Sequence, residues 1–258
     1  MDSIFSKAEE IKKEQKRAAL CIVVETRGST PRKQGSKMIV YADGTIYGSI
    51  GGGSVEKEVA VKAVGLIASG KPEKCSFKLE EDLGMHCGGY MEVYIEPINP
   101  SQNLVIYGSG HIGKAVAQFA KDLDFSVTLV DPRESIFDEQ AKKSFTCINK
   151  EYFQAIDELT FTENTYNVIV TPKHVFDEDI LALIARKPHA YIGMIGSSRK
   201  VESLRKRFLE EQILTNEELD TIDMPIGIKF KAQTPGEIAI SILAKLIDTR
   251  NRLMNNNS

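Results

Sequence analysis

The sequence has no apolar run long enough to cross a bilayer. Met1 to Arg17 forms a charged helical pattern without the uninterrupted apolar stretch of an export signal, so a cytoplasmic protein is expected. Cysteine is scarce. Cys21, Cys75, Cys87 and Cys147 lie far apart with no C-x-x-C pairing, which argues against a disulfide framework. With only 4 histidines beside them, the close ligand spacings of a structural zinc site are missing as well. A strong charge of one sign is also lacking: a net charge of -3 gives no reason to expect nucleic acid or an anionic membrane as partner, so any anion site must be local.

The composition that remains, 42% hydrophobic and 27% charged, is that of a globular protein, and 258 residues exceed the usual single-domain size. Two domains are expected, 1–100 and 101–258, joined through the stretch holding Pro97, Asn99, Pro100 and Asn103. In the front half, strands are predicted at Ala18 to Glu25, Ser36 to Tyr41, Thr45 to Tyr47, Lys74 to Leu79 and Tyr90 to Glu96. Asp43-Gly44 reads as a two-residue hairpin turn, and a helix from Ser54 to Ser69 is stopped by Gly70-Lys71-Pro72. The rear half alternates strands, at Leu104 to Tyr107, Ser126 to Asp131, Ser144 to Ile148, Asn167 to Thr171 and Ala190 to Ile195, with helical segments. That rhythm predicts a doubly wound parallel sheet. Thr234-Pro235-Gly236-Glu237 is a capping box opening a final helix, with a frayed tail from Met254. The fold class is therefore α/β, a mixed α+β domain followed by a Rossmann-like one. Cys21 and Cys147 fall inside apolar strand patterns and read as small core residues.

Val105 to Lys114 runs from an apolar strand through Gly108-Ser109-Gly110-His111-Ile112-Gly113 into a helix. In such a turn the first glycine permits the bend, the second lets the backbone approach a pyrophosphate, and the third lets helix and strand pack closely. Asp131 ends the next strand about twenty residues on, where a carboxylate can recognise a ribose. His111 is either a ligand-touching residue or a solvent-facing first-turn residue. At a later strand end, Gly196-Ser197-Ser198-Arg199-Lys200 suits a second anionic group, the alternative being a serine helix cap followed by surface cations.

The front half holds a stranger set of glycines. Arg27, Arg32, Lys33 and Lys37 crowd one loop with Ser29, Thr30 and Ser36, which should attract an anion. Gly51-Gly52-Gly53-Ser54 leads straight into a helix, so its backbone amides and a serine cap are candidates to receive phosphate or a polar ring edge; the alternative is a close backbone crossing. Cys87 precedes Gly88-Gly89, with His86 beside it. It is either a small residue at a turn or a reachable thiol able to bind a soft metal.

These motifs, in this order, resemble the XdhC and CoxI family of accessory proteins of xanthine dehydrogenase and related molybdenum hydroxylases. The resemblance rests on Gly28 to Arg32, Asp43-Gly44, Ile50 to Glu56, Cys87 to Gly89, Gly108 to Gly113, Ile195 to Lys200, Pro225-Ile226-Gly227 and Thr234 to Ala239, and so spans nearly the whole chain. It implies a homodimeric, non-enzymatic chaperone that binds molybdenum cofactor (molybdopterin), protects it during sulfuration by a cysteine desulfurase, and delivers it to an apo-hydroxylase. Carried over by position, Cys87 sits near the molybdenum. Arg32, Gly51, Gly52, Gly53, Ser54, His86, Gly108, Gly110, His111, Gly113, Asp131, Ser197, Ser198 and Arg199 complete the expected cofactor-binding set. Ser54 departs from the pattern, since the triple glycine of many relatives is followed by cysteine, so a mechanism needing two thiols is in doubt. The resemblance leaves open whether the rear domain binds a nucleotide such as NAD(P). The rival reading is an NAD(P)-dependent oxidoreductase using Asp131 for ribose and His111 or His86 for proton transfer.

Overall fold

The computed structural model describes residues 3–14, 16–79 and 89–256, which form two compact units, Met1–Ser101 with Asn255–Ser258, and Gln102–Met254. In the first unit, helix α1 (Ile4–Lys13) is capped by Ser3, whose hydroxyl accepts from the Ser6 amide. Then come β1 (Ala18–Arg27), β2 (Lys37–Tyr41), β3 (Ile46–Gly48), α2 (Gly53–Ser69), β4 (Glu73–Lys78) and β5 (Tyr90–Ile98). The strands make one antiparallel sheet in the order β3-β2-β1-β5-β4. Because successive side chains of a strand alternate faces, Ala19, Cys21 and Val23 of β1 pack with Val55, Val59, Ala63 and Ile67 of α2, while Ala18 packs with Ile11 of α1, Ile39 and Ile98.

Three local expectations are corrected. The hairpin between β2 and β3 is a three-residue loop, not a two-residue turn: the Tyr41 amide donates to the Thr45 carbonyl and Gly44 alone has positive φ, +82°. Pro97 belongs to β5 rather than to a linker. It is tolerated there because β4 reaches only to the level of Ile95, so no ladder bond is lost on that side. The cap of α2 is Gly52, not Ser54, which lies inside the first turn.

The second unit runs β6 (Gln102–Tyr107), α3 (His111–Ala120), β7 (Phe125–Val130), α4 (Glu139–Ser144), β8 (Thr146–Ile148), α5 (Tyr152–Glu158), β9 (Thr165–Ile169), α6 (His174–Ile184), β10 (Tyr191–Met194), α7 (Ser198–Glu210), α8 (Asn216–Asp220) and α9 (Pro235–Asn256). Its strands pair in parallel in the order β10-β9-β6-β7-β8. On one face Leu104 and Ile106 meet Val116 and Ala117 of α3 and Ile242 and Leu246 of α9; on the other Val105 and Tyr107 meet Ala155, Ile180, Leu204 and Phe208 of α5, α6 and α7. Both faces are covered, the requirement of an all-parallel sheet. The chain moves outward from β6 to β8 and then returns to β9 on the far side of β6. This reversal makes the carboxyl ends of the central strands a topological switch point, the place where open α/β sheets bind ligands. The capping box of α9 forms as read: Glu237 accepts from the amides of Gln233 and Thr234, and the Thr234 hydroxyl accepts from the Glu237 amide. The helix then continues to Asn256, past the point where fraying was expected.

Candidate functional site

In the first unit the structure brings the separate glycine motifs of the sequence onto one loop. A Cβ on Gly89 would stand 2.1 Å from the Ser29 carbonyl oxygen and 3.0 Å from Thr30 Cγ2; one on Gly51 would stand 2.7 Å from Pro31 Cγ and 3.8 Å from Arg32 Cγ. The segment Ser29 to Arg32 is thus pressed between the turn that starts α2 and the residue just before β5. Only glycine permits either approach, and this is the physical reason for glycine at both places. The same loop leaves Arg32 and Lys33 exposed.

Part of the turn's anion-binding capacity is already used. Glu56, in the first turn of α2, accepts from the Ser49 hydroxyl at 2.7 Å, the Ile50 amide at 3.2 Å and the Gly51 amide at 3.3 Å through one carboxylate oxygen. The expectation that the whole triple glycine offers open amides is therefore corrected: a side chain of the chain itself fills the seat at 50–51. Further along, the amides of Gly53 and Ser54 make no hydrogen bond among the described residues, and Gly53 has open space where a Cβ would be. Cys87, expected nearest the metal, and His86, expected to bind the cofactor beside it, lie outside the described residues. Among the described residues no group of three or more His, Cys, Asp and Glu is placed to hold a metal ion.

The glycine turn of the second unit has the geometry its sequence implies. Gly108, with φ +103°, would place a Cβ 2.5 Å from the Val170 carbonyl oxygen, and Gly113 would place one 2.0 Å from the Gly108 carbonyl oxygen, so both are fixed by backbone packing. A Cβ added at Gly110, the cap of α3, would meet nothing within 4 Å, and the amides of Gly110, His111 and Ile112 make no hydrogen bond among the described residues. These amides lie at the positive end of the helix dipole. His111 is the exposed first residue of α3 and its ring makes no hydrogen bond among the described residues.

Asp131 departs from the expected ribose acid. It is fully buried, and its carboxylate accepts four hydrogen bonds: at Oδ1 from the Arg133 amide (3.1 Å) and Nε (2.9 Å), at Oδ2 from the Ser109 amide (2.8 Å) and Arg133 Nη2 (2.7 Å). A carboxylate has about four acceptor positions, so no edge remains for a ribose diol. Burial pushes this carboxyl up, but the Arg133 guanidinium and the Ser109 and Arg133 amides outweigh it and hold it below the usual aspartate value. The Asn149 side-chain amide donates to the carbonyls of both Asp131 and Arg133, fixing the loop between them. Arg133, Asn149 and Glu56 were missed in the sequence. The Asp-x-Arg spacing was the available signal for the first, and an acid four residues past a glycine cap for the last.

At the end of β10, two strands from β6 and so roughly 10 Å along the same sheet edge, Ser197 caps α7 with no side-chain bond. The alternative reading of a serine helix cap followed by surface cations is met in position, Ser197 being the cap residue, although its hydroxyl makes no capping bond. Ser197, Ser198, Arg199 and Lys200 are all exposed. Between the two helix starts, Thr171 donates by amide and hydroxyl to Asp177 of α6, so this strand end too is closed by an internal carboxylate.

Fold and site together define a two-unit α/β protein with a Rossmann-like second unit and, in each unit, a glycine turn that opens a helix. A family model described as the XdhC Rossmann domain matches residues 104–246, and one described as the XdhC and CoxI family matches residues 11–78. The chain belongs to the XdhC and CoxI family. It is 33% identical over 255 residues to Escherichia coli YqeB, an uncharacterised protein, the match covering 96% of this chain and 46% of YqeB. It is 28% identical over 166 residues to a probable xanthine dehydrogenase component of Bacillus subtilis (62% and 47% covered) and 24% identical over 270 residues to PaoD of Escherichia coli, a molybdenum cofactor insertion chaperone (91% and 84% covered). The chain thus matches about half the length of the first two relatives. A solved structure described as a xanthine dehydrogenase from Bacillus halodurans superposes with a TM-score of 0.54 at 19% identity, covering 97% of this chain and 96% of that one, a likeness of fold.

Proposed function

We propose that this protein is an accessory factor of a molybdenum hydroxylase of the xanthine dehydrogenase type, which binds molybdenum cofactor, holds it through sulfuration, and hands it to the apo-enzyme without catalysing turnover itself. Family membership and the insertion role of PaoD support the carrying role. The observation that carries the reading is the meeting of the Gly28–Arg32, Gly51–Ser54 and Gly89 motifs on one loop of the first unit. Motifs that share no secondary-structure role have a reason to converge when they frame one guest. In this reading the unengaged amides of Gly53 and Ser54 and the cation of Arg32 receive phosphate oxygens. Cys87, two residues before Gly89 in sequence, supplies the thiol for the molybdenum, with His86 beside it. A cysteine desulfurase serves as sulfur source, and two copies of the chain act together.

The oxidoreductase reading loses its ribose acid, since Asp131 is saturated by its own chain; of its two histidines, His111 is exposed with no hydrogen-bonded partner among the described residues and His86 lies outside them. The test is retention. Purified protein is incubated with molybdenum cofactor released from a molybdoenzyme, desalted, and assayed for bound pterin by oxidation and fluorescence. Near-stoichiometric pterin is expected, with a clear loss in the Arg32→Ala and Cys87→Ala variants; a parent protein retaining none overturns the proposal.

A further inference from the structure

The acid at the end of β7 was expected to face a ligand, yet its four acceptor positions are filled from within the chain, three of them by Arg133. What this strand end offers outward is therefore donors. Arg133 commits Nε and one Nη2 proton to Asp131, which leaves the Nη1 edge, and its side chain is 47% exposed where that of Asp131 is 0% exposed. Its position is prepared twice over, by the two-pronged contact with a buried carboxylate and by the Asn149 bonds to the carbonyls of the loop. A guanidinium held this way gives up little further side-chain freedom on binding. Asp131 Oδ2 also receives the Ser109 amide, so the guanidinium and the glycine turn share one oxygen.

A second observation points to a guest. Ser109 Oγ, in the glycine turn, and Tyr152 Oη are both buried and have no hydrogen-bond partner among the described residues. Tyr152 lies close enough to Asp131 and Arg133 to feel both charges. Buried hydroxyls without partners are uncommon and costly, and here they border a carboxylate with no acceptor position left to offer them.

We infer that Arg133, not Asp131, is the ligand-reading residue of the second unit, and that it selects a phosphate monoester over a ribose diol, with Asp131 and Asn149 as positioning residues. The amides of Gly110, His111 and Ile112 supply further donors for phosphate oxygens beside it. Two sources carry this chemistry, the terminal phosphate of molybdopterin and the phosphate ester of a nucleotide such as NADP. The inference rests on the anion-receiving reading of this turn and not on the cofactor-carrying role of the first unit.

The experiment uses the full chain and two ligand arms. Calorimetric titration with 2′-phospho-ADP-ribose and with ADP-ribose, which differ by one phosphate, reads the nucleotide arm; pterin retention reads the cofactor arm. In at least one arm Arg133→Ala is expected to weaken the phosphate ester about tenfold or more, the loss of one charge-assisted contact. ADP-ribose binding should be weak and equal in parent and variant, and the responding arm identifies the source. Thermal unfolding controls for stability. Should R133A fail to fold, Arg133→Gln, which keeps a donor for Asp131 without the charge, carries the same comparison. The inference is overturned if neither arm depends on Arg133, if ADP-ribose binds as tightly as its 2′-phosphate, or if the parent binds neither phosphate ester. A parent that binds 2′-phospho-ADP-ribose through Arg133 but retains no pterin overturns the proposed function and leaves this inference standing.

Discussion

Asp131 shows how one residue's environment changes its role. The spacing of a strand, a glycine turn and an acid some twenty residues on suggests a ribose contact, but the outcome depends on whether the carboxylate keeps a free edge, and that is set by Arg133 two positions later. The consequence can be measured through pH. Burial alone raises the Asp131 carboxyl, and the Arg133 and Ser109 bonds overcome this and lower it below the ordinary value of 3.8. A depressed folded value means that the ionised form stabilises the fold. The contribution is full above the unfolded value and is lost as pH falls through the folded one. Asp131→Asn removes the charge that pairs with Arg133 while keeping the shape, and is expected to cost about 2 kcal/mol at pH 7. Urea unfolding of parent and variant from pH 7 down to pH 3 should show that difference narrowing in the acid range. A difference that stays constant with pH would show that Asp131 does not titrate with folding.

The turn from β6 into α3 separates glycines kept for packing from glycines kept for access. Gly113 has the Gly108 carbonyl 2.0 Å from where a Cβ would stand, whereas Gly110 has only open space. Gly113→Ala is therefore expected to destabilise the chain by about 3 kcal/mol, since backbone cannot step aside as a side chain can. Gly110→Ala should stay within about 1 kcal/mol of the parent. It should nevertheless weaken any phosphate ester bound at this turn, because the new methyl group occupies the approach to the amides. Equal stability losses in chemical denaturation would contradict this division. The elements themselves were largely readable: the five rear strands, the turn and the α9 capping box all follow from apolar runs and short-range signals. Where boundaries slipped, the cause is physical. β9 occupies Thr165–Ile169 rather than Asn167 to Thr171, and every residue of it is buried, so no alternation marks its start. Thr171 was drawn into the strand by its β-branched neighbours but instead ends it by bonding to Asp177. Glu56 was missed for a related reason, its one signal being its place four residues past a glycine cap. Helical periodicity describes the buried face of α2 and says nothing of a carboxylate that folds back over the turn before it.

For the whole molecule, sequence order conceals which glycine motifs cooperate. Gly28, Gly51 and Gly89 are dispersed through the first hundred residues, yet the antiparallel pairing of β1 with both β2 and β5 brings their turns together, a long-range fact that no local window contains. Each unit also has its own core: the clusters under α1 and α2 draw on residues 4–98, and those under the second unit's helices on residues 104–246. Cores built this way should respond separately to a clash placed inside one of them. Gly89→Ala drives a methyl group into the Ser29 carbonyl, at 2.1 Å, and is expected to loosen the β1–β5 ladder; Gly113→Ala should loosen the β6–β9 ladder. Hydrogen exchange followed by mass spectrometry tests this directly, because amides protected only by opening of their own cooperative unit exchange faster when that unit alone is destabilised. Faster exchange is expected in 18–27 and 90–98 for the first variant and in 102–107 and 165–169 for the second, with the other set unchanged in each case. If either substitution accelerates both sets equally, the two cores unfold as one, and the glycines of one unit cannot then be varied without disturbing binding in the other.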